Sequence, residues 1–281
     1  EIMSSDWSSD VCSSDLLTWN WARLNQGQSF DATSQGRSGD IVLTAGEIVL
    51  DQESTLWANT SVGDGRQVTI QASNLNILNG SQIFGQTAGP GEGSQVDIQV
   101  TNQLLIEDRD GNGSTGIETG SVSATVTGPA GAIDITAGSL VIGRNGWIGS
   151  DTASNAPAGA ITIDVDTLVL QAGGEITSGT RYLGPGADIQ ITAQTAVTIA
   201  GRDPTYFLDT SRIGTNTSMS GMAGSITITA PELRLDQGML DAQTSGVGQG
   251  GTIDLAIGAL TICNGGKISS DSMGPGQAGD I

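Results

Sequence analysis

Histidine is missing from this 281-residue chain, and lysine occurs once, at Lys267. The first absence excludes histidine-ligated metal centres and histidine-activated nucleophiles. Bases as a group are scarce: 10 Lys and Arg stand against 30 Asp and Glu, for a net charge of −20. Such a surface repels nucleic acid and anionic membrane, so neither is an expected partner. Aromatics make up 4% of the chain and charged residues 14%, where globular proteins carry about 25% charged residues. No run of about 18 apolar residues is present to cross a membrane as a helix. Cysteine appears only at Cys12 and Cys263. The chain has neither an initiator Met nor a signal peptide and reads as an internal piece of a longer protein.

Residues 4–16 are unlike the rest. Ser-Ser-Asp occurs there three times, and Asp10–Leu16 resembles a translated sequencing-adapter oligonucleotide. Residues 1–16 are therefore expected to take no part in the fold, and residues 17–281 to form it. Excluding Cys12 leaves Cys263 alone, with no intramolecular disulfide possible.

What the chain does have is glycine, 42 residues of it, and a repeat. An apolar-x-apolar pair recurs at Ile41/Leu43, Val68/Ile70, Val96/Ile98, Ile133/Ile135, Ile161/Ile163, Ile189/Ile191, Ile226/Ile228 and Ile253/Leu255, and Ile281 begins another. The intervals are 27, 28, 37, 28, 28, 37, 27 and 28 residues. Two units of about 28 residues thus alternate with one of 37.

Within each unit a second pair follows, as at Leu75/Ile77, Leu140/Ile142 and Leu168/Leu170. After a short turn, often glycine-bearing, comes a third segment of the form apolar-x-small-x-hydroxyl: Leu56/Ala58/Thr60, Ile83/Gly85/Thr87, Ile148/Ser150/Thr152, Ile176/Ser178/Thr180, Leu240/Ala242/Thr244, Ile268/Ser270/Ser272. Residues i and i+2 of a strand share a face, so the apolar members all point one way. No such coil can bury that face alone; stacked coils can. No unit has room for a helix of 10–12 residues. The expected fold is all-β: a right-handed parallel β-helix, a solenoid with three short strands per rung of about 28 residues. A β-sandwich would not require such constant column chemistry.

The segments Ala158-Gly-Ala-Ile-Thr-Ile-Asp-Val-Asp-Thr-Leu-Val-Leu-Gln-Ala-Gly-Gly-Glu-Ile-Thr-Ser and Gly251-Thr-Ile-Asp-Leu-Ala-Ile-Gly-Ala-Leu-Thr-Ile-Cys-Asn-Gly-Gly-Lys-Ile-Ser-Ser resemble the repeats of filamentous-haemagglutinin-like exoproteins, above all the large repetitive cyanobacterial type. The resemblance spans roughly residues 22–281 and implies a passenger of two-partner secretion. On that reading the protein is exported through an outer-membrane pore, resides at the cell surface or is secreted, and adheres to surface glycans or other cells. The family's N-terminal secretion domain is not recognisable here.

Several residues are candidates for function. Asp108, Asp110 and Asn112, followed by Gly113, match the opening of a calcium loop. Thr119 stands where the usual bidentate Glu would be, and a plain solvated turn is the competing reading. Trp57, Phe84 and Trp147 are expected to face outward in nearly one column, where they could stack on sugar rings, unless the long loop of the third rung folds over them. The Thr/Ser column from Thr60 to Ser272 shares a face with inward Ile and Leu, so an internal hydroxyl ladder is expected. Asp134, Asp164 and Asp188 could form an acidic column, but no base or nucleophile recurs beside it. No catalytic motif is present. A non-catalytic adhesive or structural rod is the leading expectation, with calcium as the one conceivable cofactor. A carbohydrate-binding or polysaccharide-cleaving β-helix is the alternative.

Overall fold

The computed structural model describes residues 17–24, 29–31 and 39–281, apart from 61–62, 112–113, 122–125 and 204–209. Residues 1–16, read above as extraneous, lie outside the described residues, as does Asn112. The described chain is all-β, a parallel β-solenoid of about 8 turns with about 28 residues per turn. Long strands span Leu17–Leu24, Ile41–Leu50, Gln67–Leu78, Gln95–Glu107, Ile133–Ile142, Ile161–Gln171, Ile189–Ala200, Ile226–Asp236 and Ile253–Cys263. A short strand follows each: Ser29–Asp31, Thr55–Trp57, Gln82–Phe84, Thr115–Glu118, Gly146–Gly149, Glu175–Thr177, Arg212–Gly214, Met239–Asp241 and Lys267–Ser269. The long strands pair successively in one parallel sheet and the short ones in a second.

Register follows the repeat. Ile161 pairs with Ile133 below and Ile189 above, and Ile176 lies between Ile148 and Ile213. These side chains are essentially fully buried, each stabilising the stack by about 1.5–3 kcal/mol. Leu17–Leu24 pairs with Ile41–Leu50, Leu24 opposite Leu50, so the partial rung before Ile41 joins the same sheet.

The first two expected strands of each rung prove to be one. In Ile161–Gln171 the buried residues are Ile161, Ile163 and Val165, then Leu168 and Leu170. Asp166 and Thr167 fall together on the outside, so the strand bends around the core without leaving the extended conformation. Pairing therefore continues across the corner, with register irregularities at the bends, as between Val165 and Thr167. The third side of the coil is a column of single bridges, Thr60–Thr87–Ser121–Thr152–Thr180–Thr217–Thr244–Ser272.

That column is an internal hydroxyl ladder. Thr87, Thr152, Thr180, Thr217 and Thr244 are buried. Thr87 Oγ1 donates to Gly91 O at 2.8 Å, Thr152 Oγ1 to Ala156 O at 3.1 Å and Thr217 Oγ1 to Gly221 O at 2.8 Å. Each hydroxyl thereby satisfies a carbonyl of the loop returning to the next coil. Those loops stack backbone to backbone. A Cβ on Gly221, Gly248 or Gly276 would collide with the carbonyl of the glycine one coil below. The opposite corner, between long and short strands, is left-handed: Asn79 and Gly80 have φ of 50° and 77°, Asn264 and Gly265 51° and 87°. Asn and Gly suit that region; Ala172, at φ 52°, does not.

The two longer rungs depart mainly at this corner. Most rungs pass from long to short strand in a few residues, as from Ile142 to Gly146, but the third runs from Glu107 to Thr115 and the sixth from Ala200 to Arg212.

Candidate functional site

The outward face of the short strands gathers most of the chemistry. Each short strand points one residue into the core, and its two neighbours face out. Pairing the strands defines two outward columns. One runs Trp57–Phe84–Glu118–Gly149–Thr177–Gly214–Asp241–Ser269, the other Thr55–Gln82–Gly116–Trp147–Glu175–Arg212–Met239–Lys267. A third, one residue beyond the next inward position, contains Asn59, Gln86, Asp151, Asn216, Gln243 and Asp271.

Trp57 and Phe84 stand on adjacent coils with ring centroids 5.9 Å apart and planes tilted by 41°. Trp57 is 41% exposed. Trp147 does not share their column. It precedes the inward Ile148, whereas Trp57 and Phe84 follow Leu56 and Ile83. Its indole lies against Gly149, whose Cβ would come 2.5 Å from Cζ3, and against Gly116, whose Cβ would come 2.6 Å from Cδ1. Trp147 is half-buried, and its Nε1 is buried without a hydrogen-bond partner.

Beside the aromatic pair, Asn59 and Gln86 bind each other across coils. Asn59 Oδ1 accepts Gln86 N at 2.8 Å, and Asn59 Nδ2 donates to Gln86 Oε1 at 3.4 Å. On the next coil Glu118 stands between two glycines, Gly116 and Gly120. Burial raises its carboxyl pKa and Asp151 adds to the rise; a hydrogen bond from Gln86 and the charge of Arg181 oppose it. Asp151 is held by Thr177 Oγ1 at 2.7 Å and Gly179 N at 2.5 Å.

Further along, Arg212 Nε meets Glu175 Oε1 at 3.1 Å, and its Nη1 lies 3.9 Å from Asp241 Oδ2. Burial alone would lower the Arg212 pKa, but Glu175, Asp241 and Asp151 raise it. Asp241 is 2% exposed. Burial raises its pKa against the pull of Arg212 and of Asn216, which donates to Oδ2 at 2.5 Å. The other oxygen, Oδ1, is buried without a partner, seated 2.9 Å from where a Cβ on Gly214 would be.

The other candidates fare differently. Asp108 is fully buried. Its Oδ1 accepts Gly111 N at 2.9 Å and its Oδ2 faces Asn145 Nδ2 at 3.4 Å, so both oxygens serve the turn and the neighbouring coil. Asp110 is exposed. Among the described residues no group of three or more His, Cys, Asp or Glu is placed to hold a metal ion. The acidic column does not form. Asp134 pairs with Asp97 below and Thr162 above, Asp164 with Thr136 and Thr192, while Asp188 precedes its strand.

Sequence reasoning missed the cluster of Glu118, Asp151, Arg181, Glu175, Arg212 and Asp241. The signal lay in aligning outward positions by the inward residue of each third segment. Among the described residues no helix is long and apolar enough to cross a membrane. No family model matches the chain, and neither a curated protein nor a solved structure is significantly similar to it.

Proposed function

We propose that this chain is a segment of a secreted, cell-surface adhesive rod, non-catalytic, whose short-strand face contacts glycans on surfaces or other cells. The observation that carries this reading is the exposed Trp57 beside Phe84, flanked by the Asn59–Gln86 amide pair, on an in-register stack. Aromatic faces stack on the apolar faces of sugar rings, and amides exchange hydrogen bonds with sugar hydroxyls. The repeats' resemblance to filamentous-haemagglutinin-like exoproteins supports export through an outer-membrane pore of the two-partner type. Binding of the purified chain to a panel of immobilised polysaccharides tests the reading. Retention by at least one, lost in Trp57→Ala with Phe84→Ala, is expected; equal retention of the double variant would refute it.

One observation favours a second reading. Glu118, desolvated and close to Asp151, has the character of a general acid beside a carboxylate. A polysaccharide-cleaving β-helix would release reducing sugar and lose that activity in Glu118→Gln; the adhesive rod releases none.

A further inference from the structure

Resting on the glycan-contact reading above, we infer that the ligand is an extended, β-linked polysaccharide without acidic groups, lying lengthwise along the rod from Trp57 to Asp151. The argument begins with pitch. Successive coils are spaced by about 4.8 Å, close to the length of one hexose residue in an extended β-linked chain. Recognition groups on this face therefore recur about once per sugar along the axis.

The groups themselves change from coil to coil. Trp57 with Asn59 occupies the first, Phe84 with Gln86 the second, Glu118 alone the third, and Asp151 the fourth. Gly116 and Gly120 carry no side chains, so Glu118 is the one outward group its short strand and the following residue offer here. The sequence of contacts is aromatic plus amide, aromatic plus amide, carboxyl, carboxyl. Carboxylates and amide oxygens accept hydroxyl, acetamido or ammonium protons.

Charge then selects among glycans. Arg181 is the cation that acts on Glu118, and Arg212, which also acts on Asp151, is already paired with Glu175 and Asp241, on a chain whose net charge is −20. A uronate or sulfated chain laid across these carboxyls would meet like charge in a partly desolvated setting, which disfavours it. A neutral or amino-bearing chain meets no such penalty.

The test uses the purified chain with cellulose, chitin and polygalacturonate as solid phases, and with soluble β-1,4 glucan oligomers of two to six units. The wild type should be retained on cellulose or chitin and not on polygalacturonate. Oligomer affinity should rise with length to about four units and then level off. Trp57→Ala should weaken it about tenfold. Glu118→Gln with Asp151→Asn should admit polygalacturonate, since the amides keep the acceptor for Gly179 N and lose the charge. Wild-type retention on polygalacturonate would overturn the charge selection, and a disaccharide binding as tightly as a hexamer would overturn the lengthwise placement. Failure of every solid phase to retain the wild type would instead overturn the glycan-contact reading itself.

Discussion

Replacing Gly248 by Ala probes how closely the coils touch. Gly248 lies outside the left-handed region, so alanine brings no left-handed strain there. The obstacle is steric: the new Cβ would overlap the Gly221 carbonyl oxygen and stand 2.6 Å from its carbon and 3.0 Å from Ser220 O. All three are backbone atoms, and none can rotate away. Relief requires the two loops to separate by about 1 Å, given carbon contacts near 3.5 Å. That motion strains the neighbouring hydrogen bonds from Ala223 N to Gln249 O and from Ser245 N to Thr217 O, both 2.9 Å. Losing these at about 1 kcal/mol each, with overpacking of 1–3 kcal/mol, gives a cost of roughly 3–5 kcal/mol. Gly265→Ala is the control. It has φ of 87° and nothing within 4 Å of its Cβ, so only left-handed strain applies, about 1–2 kcal/mol. Urea titration followed by far-ultraviolet circular dichroism measures both. Hydrogen exchange should show faster opening in residues 217–250 of Gly248→Ala and none in Gln95–Glu107, because each coil couples only to its neighbours. A Gly248→Ala cost no greater than that of Gly265→Ala would show that the backbones do not meet.

Ala172→Gly should stabilise the chain by about 0.5–1 kcal/mol by relieving its left-handed φ, read as a higher urea midpoint. Ile176→Ala should cost about 2–5 kcal/mol, as a fully buried side chain between two like neighbours, measured the same way. Asp241→Asn bears on pH dependence. Burial holds the Asp241 pKa above its ordinary value, so the folded state binds its proton more tightly than the unfolded state. Stability therefore falls as pH rises from the unfolded pKa through the folded one. The asparagine variant should unfold at a higher temperature than wild type at pH 7, with the advantage shrinking on acidification below the ordinary carboxylate range; an advantage that grows on acidification would reverse the sign.

The solenoid was legible because its inward residues repeat. Ile133, Ile161 and Ile189 share a spacing that only stacking explains, and Thr87, Thr152 and Thr180 mark the third side as clearly. The fusion of the first two strands was not legible, because paired outward residues such as Asp166 and Thr167 leave the same gap in alternation whether the chain turns or bends. The outward face was harder still. Trp147 and Trp57 differ by a shift of two residues about the inward position, which moves a side chain from one column to another. Arg181 and Arg212 lie in unlike surroundings in the sequence and meet acids only through register. The calcium pattern at Asp108 failed to foretell that its carboxylate would turn toward Gly111 and Asn145, because a turn can use the same Asx spacing to satisfy its own amides.

The corner where long strands give way to short ones admits extra residues without disturbing what lies above or below. In the third and sixth rungs this corner holds more residues, and the short strands that follow still carry Ile117 and Ile213 in register. Length and ornament are thus under separate control: adding coils extends reach, while lengthening this one bend adds a lateral protrusion at a chosen height. A foreign peptide grafted between Ala172 and Glu175 would be presented sideways from the shaft, and several could be spaced along it in steps of one rung.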